Sequence, residues 1–437
     1  MNKQEFKFKN KKILIYGFGI SGKASFNYLK NKNYVYLYDD NSRLISQKYK
    51  KKFLSQKKIN QYSFDYIVIS PGIDLKKCIL KNYLKKNKKK IITELDIFYL
   101  ENKKNFKITI TGTNGKSTTS KLLYEIIKNH KKDVRLVGNI GNPVLLEKKI
   151  GPKTIFVIEA SSYQIEYSRY FKTDIAAILN ISPDHLERHG TLTKYIKSKF
   201  KLIKNQTRGS LGFVDKKNKY LNSIINKNKI NSKIIKINSL FPKKLKIKIK
   251  NNYFNNFNNL QNLKFVLEIS KKIKLKKKII LKTINSFKGL KYRQQIIFNN
   301  KKLQIINDSK STSFASSLNL LQSYKNIYWI VGGKFKKGDK FILNKKYFKN
   351  IKAFIIGYKT NFFEIKFKNK ISYEILNTIK KSLLKIIEVS KYDKLKINIL
   401  FSPSAASFDQ FRNFEERGKY FNNIVKNIKL IKKINAR

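Results

Sequence analysis

Gly112-Thr113-Asn114-Gly115-Lys116-Ser117-Thr118 follows an apolar run, Phe106 to Thr111, and precedes a helical stretch that reaches about Lys128. Backbone N–H groups at such a strand-to-helix turn cradle phosphate oxygens. A lysine there reaches terminal phosphates, and the next hydroxyl can ligate Mg2+. The strict triphosphate pattern asks for a glycine where this chain has Ile110, so the loop is a variant one. Two further apolar runs deliver polar groups in the same manner. Ile155 to Ile158 leads to Glu159 and then Ala160-Ser161-Ser162-Tyr163-Gln164, and Ile175 to Leu179 leads to Asn180 and Ser182-Pro183-Asp184-His185. Groups at strand carboxyl ends face the ligand crevice of an open parallel sheet. Glu159 could therefore hold the Mg2+ of ATP, directly or through water. A lone histidine is more often structural, but the place of His185 beside a phosphate loop favours a part in the chemistry.

The helix after His185 carries an anomaly. At about 100° per residue, Leu192, Tyr195, Ile196, Leu202 and Ile203 fall within about 60° of Lys199. Lys194, Lys197, Lys201 and Lys204 lie on the opposite face, which is expected to be solvated. Either Lys199 snorkels its ammonium to the surface, or burial keeps its amine neutral. A neutral amine can react with CO2 to give a carbamate, which turns a cation into an oxygen ligand for a metal.

The elements that position these groups recur along all 437 residues: short apolar runs, each ending in a glycine or polar turn before a helical stretch. That is the pattern of βα units and parallel sheets. The expected fold is α/β with three domains: a Rossmann-like N-terminal domain over 1–104, a central P-loop ATPase-type parallel sheet over 105–290, and a Rossmann-like C-terminal domain over 291–437. In the first, Ile13 to Tyr16 runs into Gly17-Phe18-Gly19-Ile20-Ser21-Gly22 and a helix expected over Lys23 to Lys30. Tyr34 to Tyr38 ends at Asp39-Asp40, and Tyr66 to Ile69 ends at Ser70-Pro71-Gly72. Such a turn suits a pyrophosphate, and such an acid a ribose hydroxyl. The pattern does not name the nucleotide; an unliganded turn and a nicotinamide dehydrogenase stay open, although the latter leaves Gly112 to Thr118 unexplained. In the last domain, Leu303 to Ile306 ends in Asn307-Asp308-Ser309-Lys310-Ser311-Thr312. Ile327 to Val331 ends in Gly332-Gly333, with Lys337 following, and Lys396 to Phe401 ends in Ser402-Pro403-Ser404-Ala405-Ala406-Ser407. Small residues and hydroxyls at these ends suit a carboxylate ligand, or are plain turns.

A formal net charge of +70 would suggest nucleic acid. The excess is nearly all lysine, with nine arginines, and accompanies abundant Asn, Ile, Phe and Tyr, as AT-rich coding produces. Specific DNA readers lean on arginine, so no specific nucleic-acid partner is expected. Neither an export signal nor an apolar run of the ~20 residues needed to span a bilayer is present, so a cytoplasmic protein without membrane insertion is expected. One cysteine, Cys78, excludes an intramolecular disulfide and a cysteine-based zinc cluster.

Taken in this order, the glycine-rich turn, the phosphate loop and the third α/β unit resemble the Mur ligase family over nearly the whole chain. Gly112 to Thr118, Glu159 to Gln164 and Asn180 to His185 are similar to its ATP and metal motifs. Asn307 to Thr312 and the stretch from Ser402 to Phe411 resemble its D-glutamate-adding branch, and the Asp-Asn-Pro-Arg-like signature of the diamino-acid branch is absent. The resemblance implies an ATP-dependent ligase that joins D-glutamate to UDP-N-acetylmuramoyl-L-alanine through an acyl phosphate, as a monomer with two Mg2+ ions. It implies that Ile20, Ser21, Asp39, Asp40, Ser70, Pro71 and Gly72 hold the UDP part, and that Asn139 meets the muramoyl part. Gly112 to Thr118 would hold ATP, with Ser117 on one Mg2+. Glu159, His185 and a carbamylated Lys199 would gather the other, and Lys116, His185 and Lys199 would be the catalytic set. Asn259 and Asn262 would flank the adenine, and Arg293, Asp308 and Lys310 would reach ATP from beyond the central domain. Thr312, Lys337, Ser407 and Phe414 would form the D-glutamate pocket. One departure is Asn258-Asn259, where the family usually has His-Asn. A folate polyglutamate synthase, the nearest alternative enzyme, would lack the glycine-rich first domain.

Overall fold

The structure is a computed structural model that describes residues 8–41, 46–238, 248–254, 257–336 and 339–428. Lys337, expected in the D-glutamate pocket, lies outside the described residues. The chain divides into two compact units, residues 1–287 and 288–437.

The first unit holds two parallel sheets. In one, β1 (Lys12–Tyr16), β2 (Tyr34–Tyr38), β3 (Tyr66–Ile69) and β4 (Ile91–Ile92) lie in the order β2-β1-β3-β4. Parallel strands covered on both faces need continuous apolar runs, and Ile13, Leu14, Ile15 and Tyr16 are all fully buried. The helix after β1 spans Ile20–Leu29 and so begins earlier than Lys23, which places Ile20 and Ser21 in its first turn. The other sheet contains β5 (Phe106–Thr111), β6 (Val134–Gly138), β7 (Ile155–Glu159), β8 (Ile175–Ile178), β9 (Leu211–Asp215) and β10 (Lys233–Ile237). Its order, β10-β9-β8-β5-β7-β6, reverses direction at β5. The carboxyl end of β5 is therefore the switch point at which a ligand crevice opens, and the phosphate loop begins there. One apolar cluster, with Ile15, Leu95, Phe98, Phe156 and Ile158 among its members, joins the two sheets. The Phe98 and Phe156 rings meet edge-on at 4.8 Å.

The second unit has one sheet, ordered β11-β12-β16-β13-β14-β15 from β11 (Gln295–Asn299), β12 (Leu303–Asn307), β13 (Ile327–Gly332), β14 (Ile351–Ile356), β15 (Ser372–Asn377) and β16 (Ile397–Phe401). All pairs are parallel except β11 with β12. The apolar-run pattern did not reveal this antiparallel edge. The connection over residues 300–302 is far too short for a parallel crossover, and Asn300 closes it by accepting from the N–H groups of Lys302 and Leu303 at 2.9 and 2.7 Å. Pairing of β12 with β16 sets the turn after Asn307 beside the turn after Phe401, where the Asp308 N–H donates to the Phe401 carbonyl at 2.7 Å. Among the described residues, no helix is long and apolar enough to cross a membrane.

Candidate active site

The phosphate loop leaves β5 through Gly112 (φ 149°) and enters the helix Lys116–Asn129 through Gly115 (φ 83°), both at angles that favour glycine. At Gly115 a Cβ would also stand 2.1 Å from Asn262 Oδ1, so Asn262, expected near the adenine, presses directly on the loop. Asn259 is buried and donates to the Tyr253 carbonyl at 2.9 Å. The Lys116 ammonium folds back over the loop and donates to the Gly112 and Thr113 carbonyls at 3.0 and 2.9 Å. The Ser117 and Thr118 side chains begin the helix and are buried.

A second strand end clamps this loop. Asn180 accepts from the Asn114 N–H at 2.8 Å and returns a bond to the Asn114 carbonyl at 3.1 Å. Thr113 and Ser182 bond across the same gap: the Ser182 N–H donates to the Thr113 hydroxyl at 3.1 Å. The Thr113 hydroxyl also lies 3.0 Å from that of Tyr195.

Glu159 ends β7, fully buried. Its Oε1 accepts from Asn139 Nδ2 at 2.8 Å, but its Oε2 is buried with no hydrogen-bond partner. A carboxylate oxygen left in that state is costly unless a cation or donor reaches it, so this corner fits Mg2+. Asn139, expected at the muramoyl group, is thereby tied to the corner as well. Among the described residues no group of three or more His, Cys, Asp or Glu side chains could hold a metal. Any ion at Glu159 therefore needs oxygens of other kinds, such as a hydroxyl, a phosphate or a carbamate.

Lys199 is 2% exposed, so the snorkelling alternative does not occur. Its amine donates to the Gly112 carbonyl at 2.8 Å and sits 4.8 Å above the Tyr195 ring. Burial, and then the charge of Lys116, hold it well below the ordinary lysine range, against the pull of Asp184 and Glu159. Its helix, Leu192–Lys204, turns the apolar stripe inward as expected. Lys194, Lys197 and Lys204 are exposed on the opposite face, whereas Lys201 is half-buried and donates to the Glu166 carbonyl at 2.9 Å. The helical angle did not reveal that contact, because the carbonyl belongs to another helix, Ser162–Glu166. Burial alone does not single out Lys199: Lys107 is also buried, but its ammonium is wrapped by the carbonyls of Asn102, Lys103 and Asn105.

His185 adopts a left-handed conformation (φ 53°) at the start of the helix Leu186–His189, with its ring 5.0 Å from Tyr163 and 6.4 Å from Tyr195. Asp184 and Glu187 lie 3.4 and 3.7 Å from its nitrogens. The structure thus brings Lys116, Glu159, Asp184 and Lys199 into one electrostatic neighbourhood, with His185 at its rim.

The glycine turn of the first sheet is built differently. A Cβ at Gly22 would stand 1.9 Å from the Gly17 carbonyl, and one at Gly17 would stand 2.7 Å from Ser70 Cβ. Ser70 donates to the Gly17 carbonyl at 2.6 Å. Asp39 accepts from the Phe18 and Asn41 N–H groups at 2.6 and 2.8 Å, and Asp40 accepts from the Tyr16 hydroxyl at 2.5 Å. Ile20 is 79% exposed, Ser21 and Pro71 are half-buried, and Gly72 is exposed.

In the second unit, Asp308 is buried, accepting from the Gln294 N–H at 3.0 Å and the Ser402 hydroxyl at 2.9 Å. Burial pushes its carboxyl up to about 7, while the Ser402 bond and the charge of Arg293 pull it down. The Lys310 ammonium stands 3.8 Å above the Phe414 ring. Thr312 is exposed and Ser407 is buried. Arg417, which the sequence did not single out, is buried and ties these turns together. It donates to the Ser309 hydroxyl and carbonyl and to the Ala405 carbonyl at 3.1, 2.8 and 2.9 Å.

Comparison with known proteins bears on the whole chain. The Mur ligase middle domain family matches residues 110–282. The UDP-N-acetylmuramoylalanine–D-glutamate ligase of Rickettsia prowazekii (strain Madrid E) is 32% identical, covering 95% of this chain and 97% of that one. The ligase of the same name from Aquifex aeolicus (strain VF5) is also 32% identical, over 95% and 98%. Among solved structures, the UDP-N-acetylmuramate-alanine ligase of Thermotoga maritima matches with a TM-score of 0.55 at 18% identity, over 95% of this chain and 99% of that one. The MurF ligase of Thermotoga maritima in complex with ADP matches with a TM-score of 0.54 at 15% identity, over 85% and 91%. At these identities the structural likeness speaks for the fold.

Proposed function

The chain belongs to the Mur ligase family, and we propose that it joins D-glutamate to UDP-N-acetylmuramoyl-L-alanine at the expense of ATP. The observation that carries this reading is 32% identity over 95% of the chain to ligases named for that reaction. The reaction is a step of peptidoglycan precursor synthesis, and we place it in the cytoplasm, performed by a monomer.

A carboxylate does not condense with an amine in water unless it is activated. In this reading an alanyl carboxylate oxygen attacks the γ-phosphorus of ATP, ADP leaves, and an acyl phosphate forms. The amine of D-glutamate, having lost a proton, attacks the acyl carbon, and phosphate departs from the tetrahedral intermediate. The N–H groups of Gly112 to Thr118 and the Lys116 ammonium hold the phosphates and offset charge on the transferring group. Two Mg2+ ions, one held by Ser117 and the other by Glu159, His185 and a carbamate on Lys199, would supply further charge neutralisation. The depressed basicity of Lys199 supports the carbamate, because only a neutral amine forms a bond to CO2, releasing a proton as it does so. Asn139 orients Glu159 through the bond between their side chains. Asp39, Asp40 and Ser70 shape the turn against which the UDP part rests, and Arg293, Asp308, Lys310, Thr312, Lys337, Ser407 and Phe414 serve ATP and D-glutamate.

The test is phosphate release from ATP and Mg2+ with UDP-N-acetylmuramoyl-L-alanine present, adding D-glutamate or L-glutamate in turn. Release that requires both the nucleotide substrate and the D isomer is the expected result. Release without either substrate, or with L-glutamate equally well, would overturn the reading.

A further inference from the structure

Two acidic residues begin the helix Glu94–Glu101, and their surroundings differ sharply. Asp96 has a full set of partners. One oxygen takes the N–H groups of Arg169, Tyr170 and Phe171 at 2.8, 2.7 and 2.9 Å, and the other takes the N–H and hydroxyl of Thr93 at 2.9 and 3.0 Å. Glu94 is equally buried, at 3% exposure, but only one of its oxygens is bonded in this way, accepting from Gln164 Nε2 at 3.2 Å. Its Oε2 is buried with no hydrogen-bond partner.

The neighbours of Glu94 belong to two different sites. On one side is the hydroxyl of Ser21, in the first turn of the helix Ile20–Leu29, where the nucleotide-sugar substrate is read to bind. On the other is Gln164, whose side-chain oxygen accepts from the Ser161 N–H at 3.0 Å and so completes the cap of the helix Ser162–Glu166. Ser161 stands just after Glu159, the carboxylate with the unpaired oxygen. Hydrogen bonds therefore run from Glu94 through Gln164 and Ser161 to the end of β7, and the Ser21 hydroxyl neighbours the Glu94 end of that path.

We propose that Glu94 is a positioning residue for the ligation, holding the nucleotide-sugar seat at Ser21 in register with the strand end that carries Glu159. The inference rests on the ligase reading above. The substrate carboxylate must meet the γ-phosphate in line, and small misplacements of reacting groups cost rate steeply. A latch serving only the fold would be satisfied as Asp96 is; the incomplete bonding of Glu94 beside Ser21 leaves an oxygen for a donor that arrives with the substrate. Burial holds the Glu94 carboxyl above the usual carboxylate range, with Gln164 and Ser21 pulling the other way, which favours a protonated group that glutamine can imitate.

The experiment measures kcat, the KM of each substrate and calorimetric binding of UDP-N-acetylmuramoyl-L-alanine for the wild type, Glu94→Ala, Glu94→Gln, Ser21→Ala and the Ser21→Ala/Glu94→Ala pair. Glu94→Ala is expected to raise the KM for the nucleotide-sugar about tenfold and leave that for ATP within about twofold, while Glu94→Gln recovers most of the loss. The two alanine changes are expected to be less than additive in the pair, because both cut one path. Unchanged KM values, equal rises for ATP and the nucleotide-sugar, no rescue by glutamine, or full additivity would each overturn the inference. If Glu94→Ala does not fold, Gln164→Met cuts the same path and carries the same expectation. Asp96→Asn is the control: it should lower the melting temperature without the split in KM. A wild type that binds no UDP-N-acetylmuramoyl-L-alanine would defeat the ligase reading itself, whereas wild-type binding with indifferent variants would defeat only the role of Glu94.

Discussion

Two of the glycine-rich turns that follow parallel strands, Gly17 to Gly22 and Gly112 to Thr118, handle their polar groups differently. At Gly17 to Gly22 the glycines serve close packing, and the acid and hydroxyl at the neighbouring strand ends are used on the local backbone: Asp39 takes two N–H groups and Ser70 donates to a carbonyl, while the open oxygen near this turn belongs to Glu94 on another helix, behind Ser21. At Gly112 to Thr118 the surrounding groups are left unfinished. Glu159 has an oxygen without a partner, and Lys199 is buried with its charge disfavoured. Incomplete satisfaction in a dry interior destabilises the fold, and it is retained where a ligand or a reaction completes it. In the proposed reading the first turn is thus a shaped seat, and the second is the place where charge is handled.

Substitutions can break that contrast. The largest effect is expected for Lys116→Ala, which should lower kcat by about a thousandfold or more with little change in melting temperature, since the ammonium lies over the phosphate loop, donating to the Gly112 and Thr113 carbonyls, where it is proposed to meet the phosphates. Steady-state ATP turnover beside a thermal melt checks this. Lys199→Ala should lose at least about a hundredfold in kcat, and millimolar acetate should restore part of it by replacing the lost oxygen ligand. Normal turnover by Lys199→Ala would refute the carbamate. Gly22→Ala should act on the fold, losing about 3 kcal/mol because its Cβ would meet the Gly17 carbonyl at 1.9 Å. At saturating substrate, the protein that remains folded should keep kcat within about threefold. If Gly22→Ala instead abolished turnover in a stable protein, the first turn would be more than a seat.

The parts of this account legible in the sequence are those that depend on local period. The strand ends that carry Glu159, Asn180, Asp308 and Ser402 follow from short apolar runs with turns behind them. Helical angle alone centred Lys199 on the apolar stripe, but the choice between a snorkelled and a buried ammonium needed the fold, which buries it. What could not be read depends on partners distant in the chain. Glu94 lies 70 residues from Gln164, and Arg417 lies 108 from Ser309. The antiparallel β11 was hidden because an apolar run carries no direction. Asp39 illustrates the same limit: an acid after the second strand of a glycine-turn unit has the spacing of a ribose ligand, and the sequence did not show that its oxygens also accept the Phe18 and Asn41 N–H groups.

In the proposed mechanism the corner formed by Lys116, Glu159 and Lys199 activates a carboxylate by phosphorylating it. The most direct measurement uses UDP-N-acetylmuramoyl-L-alanine with 18O in its alanyl carboxylate and analyses the phosphate released during ligation. One 18O atom in each phosphate is the expected result, because the acyl phosphate breaks between carbon and the transferred oxygen. Phosphate free of label, formed alongside amide product, would contradict it.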